Sequence, residues 1–274
     1  MAQTPDAEPE VLYDVVDNVA TITLHRPHRR NAISVRMLDE LTVALQRADR
    51  ARAVRCIVLT GAGAGFCAGL DIKDAMAGTG IGGGASVASG VAGDTTPNNR
   101  DLPTVVLHEI DTPVIAAING GCAGYGFDLA LGCDLRIADR SAKIVPGFAK
   151  RGIVPESGGT WYLPRLVGWA RAAEIGFLGR NLTAERAAEL GVVNLVVDDG
   201  TALDTAREWA LEIAANAPLA VRAMKRLYRH GLSESFAAHS DHVLLQLDTL
   251  MRTADFQEGL RSFVEARPAR FEGR

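Results

Sequence analysis

The chain has 274 residues, a length that suits one or two domains at roughly 150 residues each. Hydrophobic residues make up 47% and charged residues 23%, which excludes a disordered, collagen-like or coiled-coil chain. The net charge of −4 leaves no basic excess, so nucleic acid is not an expected partner.

The opening MAQTPDAEPE carries neither a basic nor an apolar segment of a signal peptide, and residues 1–10 read as a loose polar leader. Two apolar runs, Val11–Val16 and Val19–Leu24, flank Asp17-Asn18 and predict a β-hairpin. Ser34 is placed to cap a helix whose apolar face is Met37, Leu41, Ala44, Leu45 and Ala48. Residues 54–60 form a buried-strand pattern that leads into the loop Gly61-Ala-Gly-Ala-Gly65. Asp71 begins or enters a helix, and residues 78–93 are too rich in glycine to pack, so a mobile loop is expected there. A helix over 102–110, a buried strand over 113–118, a helix over 126–131 and a strand over 133–138 follow. Residues 143–145 suit a short strand. From Gly159 the pattern is helical, broken at 192–197. Thr183 is a cap and Gly191 a stop. Helices are expected near 201–215, 218–230, 233–251 and 254–266, with Pro268 beyond the last. The expected organisation is a leader over 1–10, an α/β core of strand-strand-helix units over 11–200, and a helical region over 201–274.

The cysteines at 56, 67, 122 and 133 include no C-x-x-C pair, so reduced thiols in the cytoplasm are expected rather than a disulfide framework or a zinc ribbon. The uncharged runs at 75–93 and 112–127 are broken by glycine, and no membrane span is expected. Gly61–Gly65 lacks the spacing of a dinucleotide or phosphate loop, and no G-x-S-x-G occurs. His239 and His242, three apart on an expected helix, read as surface residues, and no metal is expected.

Four segments carry a resemblance: ITLHRPHRRNAIS (22–34), IVLTGAGAGFCAGLDI (57–72), PVIAAINGGCAGYGFDLALGCDLRIAD (113–139) and GIVPESGGTWYLPRLVG (152–168). In this order they resemble the enoyl-CoA hydratase/isomerase, or crotonase, superfamily. The resemblance implies a crotonase-like α/β spiral and chemistry on acyl-CoA thioesters. Such chemistry needs two preorganised N–H donors for the thioester oxygen, and glycines beside a helix start permit that approach. By resemblance the donors are the N–H groups of Leu70, in Ala68-Gly69-Leu70-Asp71, and of Tyr125, after Gly124.

The resemblance also implies a coenzyme A contact by the loop Arg29-Arg30-Asn31-Ala32 and by Cys67, Ala68, Gly69, Asp71, Ile72, Lys73 and Gly124. Arg29, Arg30 and Lys73 can give positive charge to phosphate. Coenzyme A enters as part of the substrate, and no separate cofactor is expected. Hydratases of this superfamily use two glutamates. Asp128 stands at the first position here and Phe148 at the second. Glu156, in PESGGTW, stands where isomerase branches carry one acidic residue that moves a proton between carbons. Ring-isomerising members share the SGGTWYLPR look and carry aspartate at that place. The expectation is therefore a double-bond isomerase acting through an enolate, with Glu156 as base. The alternatives are a 2-enoyl-CoA hydratase of fatty acid β-oxidation with an altered Asp128–Glu156 pair, and a weakly catalytic acyl-CoA-binding protein. Phe263 and the RPARF tail resemble the part that packs on neighbouring subunits, which implies a homotrimer or hexamer.

Overall fold

A computed structural model describes residues 8–77 and 102–274, so the expected loop at 78–93 lies outside the described residues. Strands β1 (Val11–Val16) and β2 (Val19–Leu24) pair antiparallel around Asp17-Asn18, both of which take the positive φ that a two-residue hairpin turn requires. Helix α1 (Val35–Arg50) starts where Ser34 accepts a hydrogen bond from the Met37 N–H at 3.0 Å. Its apolar stripe is buried against the sheet. Strand β3 (Cys56–Gly61) is buried along its whole length, as befits a parallel strand covered on both faces.

The chain then repeats a unit. After three linking residues, β3 is followed by β4 (Gly65–Cys67), a loop, and the short helix α2 (Ile72–Met76). Helix α3 (Pro103–Glu109) leads to β5 (Val114–Ile118), then β6 (Gly121–Ala123), a loop, and α4 (Tyr125–Gly132). Strands β7 (Leu135–Asp139) and β8 (Lys143–Val145) begin a third unit. Helices α5 (Gly159–Val167) and α6 (Trp169–Leu178), strand β9 (Leu182–Thr183), helix α7 (Ala184–Glu189) and strand β10 (Leu195–Val197) complete it. The five longer strands and the three-residue β10 form one sheet in the order β1-β2-β3-β5-β7-β10, parallel from β2 onward. The short strands form a second sheet, β4-β6-β8-β9. The strand-strand-helix spiral is the expected one. Strand β8 at 143–145 is as expected, whereas the strand nature of 65–67, 121–123 and 182–183 is new, because strands this short leave little readable alternation.

Helix α8 (Ala202–Ala214) is the layer on the open face of the first sheet. Ala202, Ala206, Ala210 and Ala214, each four apart, pack on Val58, Ile115 and Ile137. Alanine at these four positions lets the helix lie close to the strands. Helices α9 (Pro218–Gly231), α10 (Phe236–Met251) and α11 (Ala254–Val264) follow. Arg222, Arg226 and Arg229 tie α9 to Asp49 and Asp111. The expected leader is held at its end, where the Glu10 carboxylate meets Arg26 Nε at 3.1 Å. No helix among the described residues is long and apolar enough to cross a membrane.

The fully enclosed Arg136 on β7 joins three pieces of this core. Its guanidinium donates to the carbonyls of Cys133 (2.6 Å), Val192 (2.7 Å), Ala130 (3.2 Å) and Asp134 (3.3 Å). Arg136→Met keeps the apolar stem but strips those carbonyls of their donors. The expected loss is about 3 kcal/mol of unfolding free energy, measured by urea denaturation. A loss below about 1 kcal/mol would mean that water replaces the guanidinium.

Candidate active site

The β4 and β6 loops meet because α4 begins against β4 with no side chain between them. A Cβ on Gly126 would fall 2.6 Å from both the Cβ and the carbonyl oxygen of Cys67, so only glycine fits at the second position of α4. The approach brings Gly69 alongside the Tyr125 N–H.

Several amides of the two loops are already spent. In the first, the Ala68 N–H donates to Arg30 O (3.1 Å) and the Asp71 N–H to Ile33 O (3.2 Å), while Gly69 O accepts from the Ile33 N–H (2.8 Å). Asn31 braces that partner segment, accepting from the Arg26 N–H and donating to Ala62 O and Gly65 O. In the second, the Gly124 N–H donates to Val145 O, and Gly124 O accepts from the Phe127 and Asp128 N–H groups. Among the described residues the N–H groups of Leu70 and Tyr125 meet no backbone carbonyl. The Tyr125 side chain is buried in the core and burial pushes its phenol far up, so its backbone alone faces the loop.

Both loops line one cavity of about 630 Å³ with Ala68, Gly69, Leu70, Ile72, Gly124, Tyr125 and Glu156 among its walls. Glu156 is the one carboxylate among the described lining residues. Ala123, Phe148, Arg151, Gly152, Ile153 and Val154 complete the wall. Of these, Phe148 carries a reading from sequence. Ala123, Gly152, Ile153 and Val154 lie inside the quoted segments and Arg151 directly before one, and that position was the available signal. Phe148, Ile153 and Val154 also line a second cavity of about 340 Å³, whose other walls are mostly apolar and include Leu131, Leu163, Trp169 and Phe177.

Asp128 belongs to this second cavity. It is fully buried on α4, and its Oδ2 accepts the Ser157 N–H at 3.1 Å. A Cβ on Gly159 would lie 2.1 Å from Asp128 Oδ1, so glycine there makes the room that the carboxylate occupies. Burial raises the Asp128 pKa to about 7, against the hydrogen bond from Ser157, and the nearby Glu156 charge adds to the rise.

The other residues expected to touch coenzyme A do not line the first cavity. Cys67 and Ala32 are buried beneath the loops, and burial pushes the Cys67 thiol up to about 12. The Asp71 carboxylate is buried, lies 3.4 Å from Arg26 and 3.6 Å from Arg29, and accepts the Lys73 N–H at 3.1 Å. Part of the Arg29 charge is therefore directed at Asp71 rather than solvent. Arg30 and Lys73 are exposed at the rim of the same segment.

The model of the family described as enoyl-CoA hydratase/isomerase matches residues 14–274. The chain is 37% identical to the 1,2-epoxyphenylacetyl-CoA isomerase of Escherichia coli over 264 residues, covering 96% of this chain and 98% of that protein. It is 37% identical to a probable enoyl-CoA hydratase of Rhodobacter capsulatus over 268 residues, with 96% and 98% covered. A crystal structure of an enoyl-CoA hydratase from Bacillus anthracis superposes with a TM-score of 0.88 at 33% identity, covering 97% of this chain and all of that one.

The raised Asp128 pKa has a consequence for stability. An unfolded aspartate titrates near its ordinary 3.8, so between that value and about 7 the folded protein holds a proton that the unfolded chain releases. The stabilisation is full below about pH 4 and is lost as pH rises through about 7. Asp128→Asn cannot titrate. Its Tm relative to the parent protein should climb from pH 4 to pH 7 and level off above pH 8 in thermal melts. A difference that does not change with pH would show that Asp128 ionises normally.

Proposed function

The chain belongs to the enoyl-CoA hydratase/isomerase family, and we propose that within it the protein is an enoyl-CoA isomerase that moves a double bond through a thioester enolate. One observation carries this reading: a single carboxylate, Glu156, shares a cavity with two backbone N–H groups that have no other backbone acceptor. In the proposed mechanism the Leu70 and Tyr125 N–H groups hold the thioester oxygen. Removing a proton beside the carbonyl puts negative charge on that oxygen, and preorganised donors favour the charged form. Glu156 takes the proton from one carbon and returns it to another. Phe148 and the apolar wall keep water from the carbon that hydration would attack. The exposed Arg30 and Lys73, with Arg29, supply charge for the coenzyme A phosphates.

A second reading, hydration, is supported by Asp128. Its pKa near neutrality suits a general acid or base, and it feels the charge of Glu156. It counts for less because Asp128 lines the neighbouring cavity. The relatives' names include both isomerase and hydratase.

A homotrimer or hexamer is also proposed. Phe236 on α10 is 88% exposed, and Phe263 on α11 is 87% exposed. Large apolar side chains this open commonly mark an interface. Light scattering on the purified protein should give three or six times the chain mass, and a monomer would remove the proposal.

The chemistry is tested with 2-enoyl-, 3-enoyl- and ring-type CoA thioesters in light and heavy water, read by mass spectrometry. Isomerisation leaves the mass unchanged apart from deuterium, whereas hydration adds one water. Glu156→Gln should lower turnover of a 3-enoyl-CoA by about 10²–10⁴-fold with ligand binding little changed, and Asp128→Asn should cost less. The reverse ordering of the two variants would make Asp128 the base. Net addition of water by the parent protein would select the hydratase reading.

A further inference from the structure

Three histidines converge on one carboxylate at the corner between α9 and α10. His230 closes α9, Glu234 stands in the turn, and His239 and His242 lie one turn apart on α10. Glu234 Oε1 lies 3.1 Å from His230 Nδ1, and Oε2 lies 3.0 Å from His242 Nδ1. His239 Nδ1 is 3.6 Å from the same Oε2, is buried, and makes no hydrogen bond. Space for the His239 ring comes from Gly231, where a Cβ would meet it at 3.3 Å. The His230, Glu234 and His242 donor atoms all fall within 4.8 Å of one another.

Two of the imidazoles hydrogen-bond the carboxylate, while the buried His239 Nδ1 is left without a partner. The same donor set suits a cation. Four-coordinate zinc takes imidazole nitrogen and carboxylate oxygen at about 2.0–2.2 Å, which sets neighbouring donor atoms about 3.3 Å apart. The two nitrogen-to-oxygen separations, 3.1 and 3.0 Å, are close to that value. Two nitrogens and one oxygen form a borderline donor set that suits Zn²⁺ and not the harder Mg²⁺.

We propose that His230, Glu234 and His242 form a zinc site that staples α10 to α9, with His239 beside the fourth position. The staple has a structural purpose. Helix α9 is riveted to the core by Arg222, Arg226 and Arg229, whereas α10 has no buried residue of its own. A metal shared across the turn fixes the less anchored helix through the more anchored one.

The test uses the full chain freed of metal by chelation and titrated with zinc sulfate by calorimetry and thermal melting. The parent protein should bind one zinc per chain with Kd below about 10 µM and gain about 5 °C in Tm at saturation, while magnesium gives neither. Cobalt(II) bound there should show the visible absorption of a tetrahedral site. The double variant His230→Ala, His242→Ala should keep its metal-free Tm within about 2 °C and bind zinc at least ~100-fold more weakly. No saturable zinc binding by the parent protein up to about 100 µM overturns the proposal. So does equal binding by the double variant, which would put the metal elsewhere. If the double variant does not fold, Glu234→Gln replaces it, and unchanged zinc affinity in that variant overturns the proposal too.

Discussion

The contact between Gly126 and Cys67 is the constraint on which the candidate site depends. It lets the first turn of α4 rest directly on β4, and through that contact the loops after β4 and β6 come side by side. Their free amides come from different crossovers and would otherwise be independent in space. A side chain at position 126 would lift α4 and separate them. The two N–H groups are backbone, so the side chains at 70 and 125 are free to serve other needs. Tyr125 uses its ring to fill the core, and Leu70 packs partly against it.

The same logic separates what could be read in the sequence from what could not. The hairpin, α1, β3, β5 and the four C-terminal helices announce themselves through periodicity and caps, because burial on one face leaves a regular trace. The second sheet leaves little beyond β8 at 143–145. Its strands contain only two or three residues, two of them begin with glycine, and their role is visible only when paired. The glycine loops were legible as possible donor sites through family resemblance. The placement of Asp128 was not, because its cavity depends on the missing side chain of Gly159, 31 residues away in a separate helix. Spacing records which residues are neighbours along a helix, but not which glycine makes room for them.

The two acidic residues illustrate how burial can assign different tasks to similar groups. Asp128 is enclosed and raised toward neutrality mainly by loss of solvent, so its charge is costly. Glu156 lines the larger cavity beside the free amides. A base that removes a carbon-bound proton must reach that carbon while the donors hold the oxygen, and a shared cavity is the geometric minimum for doing so. Phe148 borders both cavities, where a hydratase of the family has a second carboxylate. A phenyl ring there can hold neither a water nor a proton, and its apolar surface makes the boundary drier.

The C-terminal helices are coupled to this arrangement through charge. Asp111 and Thr112 lie between α3 and β5, and Asp49 lies at the end of α1. Arg222 reaches Asp49 and Thr112, while Arg226 and Arg229 both reach Asp111. Burial raises the Asp111 pKa, but the hydrogen bonds and charges of the two arginines outweigh it and hold the carboxyl below its usual range. Arg229 also donates to the carbonyls of His108 and Ile110, closing the end of α3. Lys225 adds Thr112 O and Asp134, and Asp134 in turn accepts the Val114 N–H at the start of β5. The start of β5 sets the register of that strand, and β5 leads through two residues into β6 and the Tyr125 amide. Helix α9 therefore holds the start of the strand that leads, through β6, to the loop carrying the Tyr125 amide.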